Sequence, residues 1–411
     1  MKSADGGGDA AALIAIGAGA LVVVAAIGLR GDFPLSDDWS YAYAVRGLCT
    51  EGTLRLSPWT GASFVLQGWY GALLCRLFGF SFEVLRASTV ALAILGAVGF
   101  HLLLGIAGVS GRARALGLAC FALGPLYVNL AFTFMTDVPF TVAAVWTGYA
   151  YLRGLARGRR APLVVGGVLA AAALLIRQHG IFVAVAAALT ALAARDRPWR
   201  DRLADAVAAA ALPVAVFLAY HVWLFAWQGA PGGVVMKLTE AATPSVVGVI
   251  NACFRGLATL GFLLLPVAAA VRHDVVARHP RVATAVCAVL AVLGLVLWLR
   301  LDAAMFYLSN VMYDFGLGAS TLRDTQFLGL RAPIAIGSPL RAVLTPVAIL
   351  AGGVLATALL DGATSRRDPI ARFLLIATAV LFVGTLLHTR YYFDRYLLIV
   401  VPISIAVAVG G

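Results

Sequence analysis

Long apolar stretches, separated by short polar connections, constrain this chain more than any other feature of its sequence. A helix needs about 20 apolar residues to cross the hydrocarbon core of a membrane. Stretches near that length occur at 10–29, 84–108, 114–132, 138–153, 161–176, 180–194, 203–226, 247–271, 282–299, 339–360, 371–388 and 396–410. Hydrophobic residues make up 62% of the 411 residues and charged residues only 12%, unlike soluble domains. The sequence therefore predicts an all-α polytopic membrane protein, a single integral-membrane domain over residues 1–411 with about 12 transmembrane helices.

The formal net charge is +12, and the positions of the charges account for it. Of the 31 lysines and arginines, 17 lie in short connections that would share one side of the membrane with the N-terminus. Short loops rich in arginine face the cytoplasm. We therefore expect a protein of the cytoplasmic (inner) membrane with both termini cytoplasmic. The same placement disfavours nucleic-acid binding, and the lack of a phosphate-binding glycine motif disfavours nucleotide-driven transport.

Two connections on the predicted outer side are unusually long, residues 30–83 and residues 300–338. Long ordered loops in compact proteins usually serve a function. In the first of them, residues 39–48 and 64–78 carry apolar residues at three- and four-residue spacing. This pattern predicts amphipathic helices that lie at the membrane surface.

Four further residues lie in predicted outer segments. Cys49 and Cys75 share the first long loop and can pair if that loop is extracytoplasmic, where disulfides persist. Lys237 and Glu240 lie in a shorter outer segment, and charges there are typical of solvated or structurally paired positions.

Adjacent carboxylates, Asp37 and Asp38, follow the first apolar stretch and precede Trp39. Neighbouring acids repel each other, which raises the pKa of one of them, and such a pair suits a general base or a cation clamp. We also expect Trp39 to contact a sugar or an acceptor. The structural alternative is that Ser36 or Asp37 caps the helix that begins near Trp39.

Asp137 stands between two apolar stretches, in Thr136-Asp137-Val138-Pro139. Thr136 or Asp137 is a good N-cap with Pro139 in the first helical turn, so local structure alone explains these residue types. The predicted topology, however, brings Asp137 to the same membrane face as Asp37 and Asp38. We therefore predict a catalytic set of three carboxylates, which also offers a site for a divalent cation.

Two basic motifs are predicted on that same face. In Arg177-Gln178-His179-Gly180, Arg177 can bind a phosphate through two N–H groups and His179 can assist there or relay a proton. The alternative for Arg177 is a side chain that extends from a helix end toward the interface. The two short stretches around this motif form either a tight hairpin or one span and a re-entrant segment.

The second motif, residues 391–396, precedes the last apolar stretch. Aromatic residues with a basic neighbour are common anchors at the membrane interface. The functional alternative is that Tyr391 and Tyr392 contact a sugar or an acceptor while Arg395 binds a phosphate.

The order of these motifs resembles the GT-C glycosyltransferase superfamily, of the dolichyl-phosphate-mannose protein mannosyltransferase and aminoarabinose-lipid A transferase type. The matching features are a single span before a long outer loop that opens with Asp37-Asp38, and Thr136-Asp137-Val138-Pro139-Phe140 after the third span. A third is Phe393-Asp394-Arg395-Tyr396-Leu397, which leads into the last span. The similarity covers residues 10–200 well and the late spans loosely.

The resemblance implies an extracytoplasmic site that moves a sugar from a polyprenyl-phosphate donor to a lipid, glycan or protein acceptor. It implies a catalytic base at Asp37 or Asp38, a supporting carboxylate or metal contact at Asp137, and donor phosphate contacts at Arg177 and Arg395. The family usually has Asp-Glu where this chain has Asp-Asp, so the identity of the base stays open. The alternative from another class is a transporter or flippase of lipid-linked sugar, which the loop-edge charges and the asymmetric long first loop disfavour.

Overall fold

The computed structural model describes residues 6–35, 37–109, 111–243, 245–301, 311, 338–365, 368–386 and 393–410, and the regular elements in these ranges are all helical. The first half holds α1 Gly6–Ile27, α2 Asp38–Glu51, α3 Val65–Phe78, α4 Phe82–Ile106, α5 Gly111–Ala122, α6 Pro125–Ala131, α7 Asp137–Arg157, α8 Arg160–Ile176 and α9 Gly180–Leu192. The second half holds α10 Trp199–Trp223 with a π-helical turn Leu224–Gln228, α11 Gly232–Ala242, α12 Val246–Leu263, α13 Leu265–Arg278, α14 Pro280–Leu301, α15 Ser338–Ser365, α16 Pro369–Leu386, a 3-10 helix Asp394–Ile399 and α17 Val400–Gly410.

Six helices in the described ranges are long and apolar enough to cross a membrane: Ala10–Ile27, Phe82–Ile106, Trp199–Gln228, Val246–Leu263, Ala342–Gly362 and Pro369–Leu386. Helices α5 and α6, bent by 47° at their junction, add a seventh if they form one span. Helices α8, α9 and residues 280–296 are apolar but shorter. The all-helical membrane architecture is confirmed, whereas the number of about 12 spans stays a prediction.

The central bundle is built around α7, which packs against α4 on one side and α8 on the other. Helices α8 and α9 form a tight hairpin, and both pack against α10. A Cβ atom at Gly180 would collide with the backbone of Ala173 and Leu174, so only glycine allows the first turn of α9 to approach α8 this closely. The hairpin places the connection of residues 177–179 at one end of the bundle.

The segment between α1 and α2 is fastened to the start of α4. Arg86 donates hydrogen bonds to the carbonyl oxygens of Leu29 and Gly31 at 3.2 Å and of Phe33 at 2.9 Å. Asp32 accepts the backbone N–H of Phe82 at 2.7 Å. These bonds fix the chain immediately before the acidic pair. The buried Arg86 was not a candidate from the sequence, because its partners are carbonyl groups more than 50 residues away.

Helices α2 and α3 pack together, and a disulfide between Cys49 and Cys75 joins them with a Cα–Cα distance of 6.3 Å. The backbone N–H of Phe64 donates to the carbonyl oxygen of Ile176 at 3.0 Å, which ties the start of α3 to the end of α8. One face of α3 is buried, and the other exposes large apolar side chains, including Trp69, Leu73, Leu77 and Phe78. This division is the one expected of a helix that lies in a membrane interface.

Candidate active site

Several connections meet at the end of the bundle where α8 turns into α9. They are the start of α2, the start of α7, the turn between α8 and α9, and the 3-10 helix before α17. Together they enclose a cleft with about 290 Å³ of empty space. Its lining residues are Asp137, Phe140, Thr141, Arg177, His179, Thr385, Arg395, Tyr396, Leu398 and Ile399. Sequence candidates that are up to 358 residues apart in pairs therefore come together here.

The two acids of the pair have different environments. Asp38 is only 1% exposed, and its carboxylate accepts the backbone N–H of Leu35 at 2.7 Å and of Phe134 at 3.1 Å. Burial raises the pKa of this carboxyl to about 7, although the two N–H groups and Arg86 oppose the rise. Asp38 thus joins the start of α2 to the segment before α7.

Asp37 occupies the N-cap position of α2, but its side chain makes no capping hydrogen bond. Instead its carboxylate accepts a hydrogen bond from Nη1 of Arg395 at 3.1 Å, and half of the side chain stays exposed. The hydroxyl of Ser40 donates to the Asp37 carbonyl oxygen at 2.9 Å, which holds the backbone of this turn. The capping interpretation is therefore correct for the position of Asp37 but not for its side chain, which is directed to a cation.

Asp137, the first residue of α7, forms a buried ion pair with Nη1 of Arg177 through one carboxylate oxygen. The other oxygen, Oδ2, is buried and has no hydrogen-bond partner. A buried charged oxygen without a donor is costly in a folded protein and is concentrated at functional sites. This oxygen lines the cleft, where a ligand can donate to it.

Three cations surround the ring of Tyr396. The guanidinium carbons of Arg177 and Arg395 lie 5.7 Å from the ring centroid, and Nζ of Lys237 lies 5.5 Å from it. A cation over an aromatic face is attracted by the ring quadrupole, which partly offsets the repulsion between the three charges. Asp394 directs its carboxylate to the backbone N–H of Val311 at 3.1 Å and to that of Arg395 at 2.7 Å.

Lys237 was expected in solvent, and the structure places it in this cluster instead. Its Nζ donates to the carbonyl oxygen of Gly61 at 3.0 Å. Burial lowers the pKa of the ammonium group, and the nearby Arg177 and Arg395 lower it further. The chain carried a signal for this position, because Lys2 and Lys237 are its only lysines among 31 basic residues.

The remaining sequence candidates are placed as follows. His179 lines the cleft, and its ring centroid lies 6.4 Å from that of Phe140. Trp39 is half-buried on α2, with its ring 6.5 Å from that of Tyr43, and it does not line the cleft. Tyr391 and Tyr392 lie outside the described residues.

The acidic residues Asp37, Asp38 and Asp137 do not share one position. Asp37 pairs with Arg395, Asp38 binds backbone N–H groups and Asp137 pairs with Arg177. Among the described residues, no three His, Cys, Asp or Glu side chains are grouped so that they could hold a metal ion.

A family model described as dolichyl-phosphate-mannose-protein mannosyltransferase matches residues 65–223. This range contains Asp137, Arg177 and His179 but neither Asp37 nor Arg395. No curated protein matches the chain.

The fold is similar to the crystal structure of the Archaeoglobus fulgidus oligosaccharyltransferase in the apo form, with a TM-score of 0.52 and 16% identity over 97% of this chain and 50% of that one. ArnT from Cupriavidus metallidurans matches with a TM-score of 0.40 in the apo state, at 19% identity over 97% of this chain and 74% of that one. The same protein bound to undecaprenyl phosphate matches with a TM-score of 0.44, at 18% identity over 99% and 75%. The chain spans about half the length of the oligosaccharyltransferase. The resemblance to the GT-C glycosyltransferases is confirmed.

Proposed function

Because the chain has the fold of the GT-C glycosyltransferases, we propose that it transfers a sugar from a polyprenyl-phosphate donor to a hydroxyl or amine of an acceptor. The observation that carries this proposal is the pairing of carboxylates with arginines around one cleft. Asp37 is accessible and bonded to Arg395, and Asp137 is buried and bonded to Arg177. A base opposite a cationic anion site is the arrangement that such a transfer needs.

Asp37 is the base in this proposal, and Asp38 positions it. Both oxygens of Asp38 are occupied by backbone N–H groups in a buried position, so Asp38 has no free face for an acceptor. Asp37 is half exposed and makes one hydrogen bond from Arg395, which leaves lone pairs for an acceptor proton. The difference in burial answers the question that the Asp-Asp sequence left open.

The reaction then proceeds in one displacement. The acceptor oxygen or nitrogen attacks the anomeric carbon of the sugar and gives its proton to Asp37. The bond between that carbon and the donor's phosphate oxygen breaks, and polyprenyl phosphate leaves with the bonding electron pair. Negative charge develops on the phosphate, where Arg177 and Arg395 stabilise it. A lipid-phosphate donor already carries its leaving group, so the chain itself requires no nucleotide.

The site is placed on the extracytoplasmic face of the inner membrane in this proposal. The disulfide between Cys49 and Cys75 lies beside the site, and disulfides persist in oxidising compartments. The sidedness is tested with two variants, Arg55→Cys in the first loop and Arg157→Cys at the end of α7. A membrane-impermeant maleimide should label Arg55→Cys in intact cells and Arg157→Cys only after lysis. The reverse pattern would place the site in the cytoplasm.

The function is tested by incubating the purified chain with a panel of polyprenyl-phosphate sugars and candidate acceptors, with and without EDTA. We expect release of polyprenyl phosphate with one donor, together with a glycosylated acceptor. Loss of the reaction in EDTA would assign a divalent cation to it. Movement of labelled lipid-linked sugar across proteoliposomes without any glycosyl product would support the flippase instead.

A further inference from the structure

One cation at the site has no carboxylate partner. Arg177 pairs with Asp137 and Arg395 pairs with Asp37, whereas Lys237 makes no ion pair in the part of the chain that the structure describes. Of the three N–H groups on its Nζ, one is used by the carbonyl oxygen of Gly61. A half-buried ammonium group among two arginines is unfavourable unless an anion compensates it.

The position of Lys237 is built with care for close approach. A Cβ atom at Gly61 would collide with the end of the lysine side chain. Helix α11, which carries the lysine, is held against the first loop by a hydrogen bond from the backbone N–H of Gly233 to the Pro58 carbonyl oxygen at 2.9 Å. A second bond of 2.9 Å runs from Nε2 of Gln228 to the Leu54 carbonyl oxygen. The lysine is therefore delivered to the cluster by the fold and is not an accidental visitor from a surface loop.

The choice of lysine is also informative. The chain uses arginine at 29 of its 31 basic positions, and Lys237 is its only lysine beyond residue 2. Arginine presents a planar fork that suits carboxylates, whereas lysine presents a compact charge with three donors that can turn toward a tetrahedral oxyanion. At this site the two arginines bind carboxylates, and the lysine is the group left for another anion.

We propose that Lys237 binds the phosphate of the donor and makes the site selective for a lipid monophosphate over a lipid diphosphate. A sugar linked through one phosphate carries a single negative charge, which one unpaired ammonium group balances. A diphosphate linkage carries a second charge, and that charge would have to displace Asp137 from Arg177 or Asp37 from Arg395. This inference rests on the proposed function for the identity of the lipid, but not for the presence of an anion site.

The test compares the full-length chain, Lys237→Met and the control Arg55→Met in detergent. Lys237→Met keeps the length of the side chain and removes the charge, and Arg55→Met removes an exposed outer-loop charge away from the site. We expect Lys237→Met to weaken binding of undecaprenyl phosphate about 10- to 100-fold, as for loss of a hydrogen bond to a charged group. Arg55→Met should bind like the unmodified chain, and uncharged undecaprenol should not distinguish the three proteins.

Two competition arms define the ligand. Undecaprenyl diphosphate should bind the unmodified chain more weakly than undecaprenyl phosphate does. Inorganic phosphate at the same concentration should not displace undecaprenyl phosphate, because it lacks the lipid tail. Equal binding of inorganic phosphate, or a preference for the diphosphate, would overturn the proposal, as would unchanged affinity in Lys237→Met.

The two proposals fail in different ways. In the transfer assay, Lys237→Met should raise the KM for the donor, whereas a change at the catalytic base should lower kcat. If the unmodified chain transfers no sugar, the binding comparison still decides whether Lys237 holds a lipid phosphate. Retention of the Cys49–Cys75 disulfide and of the thermal midpoint shows that Lys237→Met is folded. Lys237→Arg, which restores the charge, should bind undecaprenyl phosphate more tightly than Lys237→Met.

Discussion

The two ends of α8 carry the same kinds of side chain in opposite settings. At its first residue, Arg160 bonds Asp205 at 2.9 Å and Asp201 at 2.7 Å, and Arg197 also pairs with Asp205. About 25 Å away along the helix, Arg177 pairs with Asp137. Half of the Arg160 side chain is exposed, whereas that of Arg177 is 10% exposed.

The difference between the ends lies in the balance of partners and in burial. At the Arg160 end, two arginines share two carboxylates, which is typical of a structural network near solvent. At the Arg177 end, a buried carboxylate oxygen lacks a donor and a lysine lacks a carboxylate. Residue types alone do not separate structural from functional ion pairs. Unbalanced partners in a buried cleft do, and we use that contrast to frame four predictions.

The largest effect is expected from Asp37→Asn. The amide cannot accept the acceptor's proton, so kcat for sugar transfer should fall about 10²- to 10⁴-fold, the usual contribution of a general base. Asp201→Asn at the opposite end is the matched control and should transfer at the unmodified rate. Undiminished transfer by Asp37→Asn would remove this carboxylate from the mechanism.

The next effect concerns the stability of the buried pair. Arg177→Met leaves Asp137 as a buried carboxylate without its cation, which should lower the free energy of unfolding by about 3–5 kcal/mol. Replacing both residues, as in Arg177→Met with Asp137→Asn, should cost less than Arg177→Met alone. Unfolding in detergent measures both variants, and simple additivity would mean that the two side chains do not interact.

A smaller effect should appear as a pH dependence of stability. The pKa of the Asp38 carboxyl is raised to about 7 by burial, against 3.8 for a free aspartate. The folded chain therefore holds this proton more tightly than the unfolded chain, and the resulting stability is complete at low pH and lost as pH rises through about 7. The thermal midpoint should fall between about pH 5 and about pH 8. That fall should be smaller in Asp38→Asn, and an identical pH dependence in both proteins would contradict the assignment.

The smallest effect is expected from Arg160→Met at the opposite end. Arg160 is half exposed, and Asp205 keeps its bond to Arg197 when Arg160 is removed. Exposed ion pairs contribute little to stability. The thermal midpoint and the transfer rate should both match those of the unmodified chain. A large loss of stability would show that the two ends are not as different as their burial indicates.

Most helical segments could be read from the sequence, because apolar runs and three- and four-residue spacing are local signals. The apolar spacing at residues 39–48 and 64–78 coincides with α2 and α3. The individual roles of Asp37 and Asp38 could not be read in this way. They differ because the backbone N–H of Phe134, 96 residues away, binds Asp38, whereas Arg395 binds Asp37. Lys237 was missed for the same reason, since its partner Gly61 is 176 residues away.

The sequence by itself determined that this chain is a helical membrane protein with acidic and basic residues at the ends of its apolar stretches. Hydrophobic length and periodicity are properties of neighbouring residues, so they do not depend on the final packing. Only the tertiary structure decided which acid is buried, which cations are already paired and which one is left for a ligand. Burial and charge balance depend on the distances between side chains from remote segments, and those distances exist only after the helices have packed.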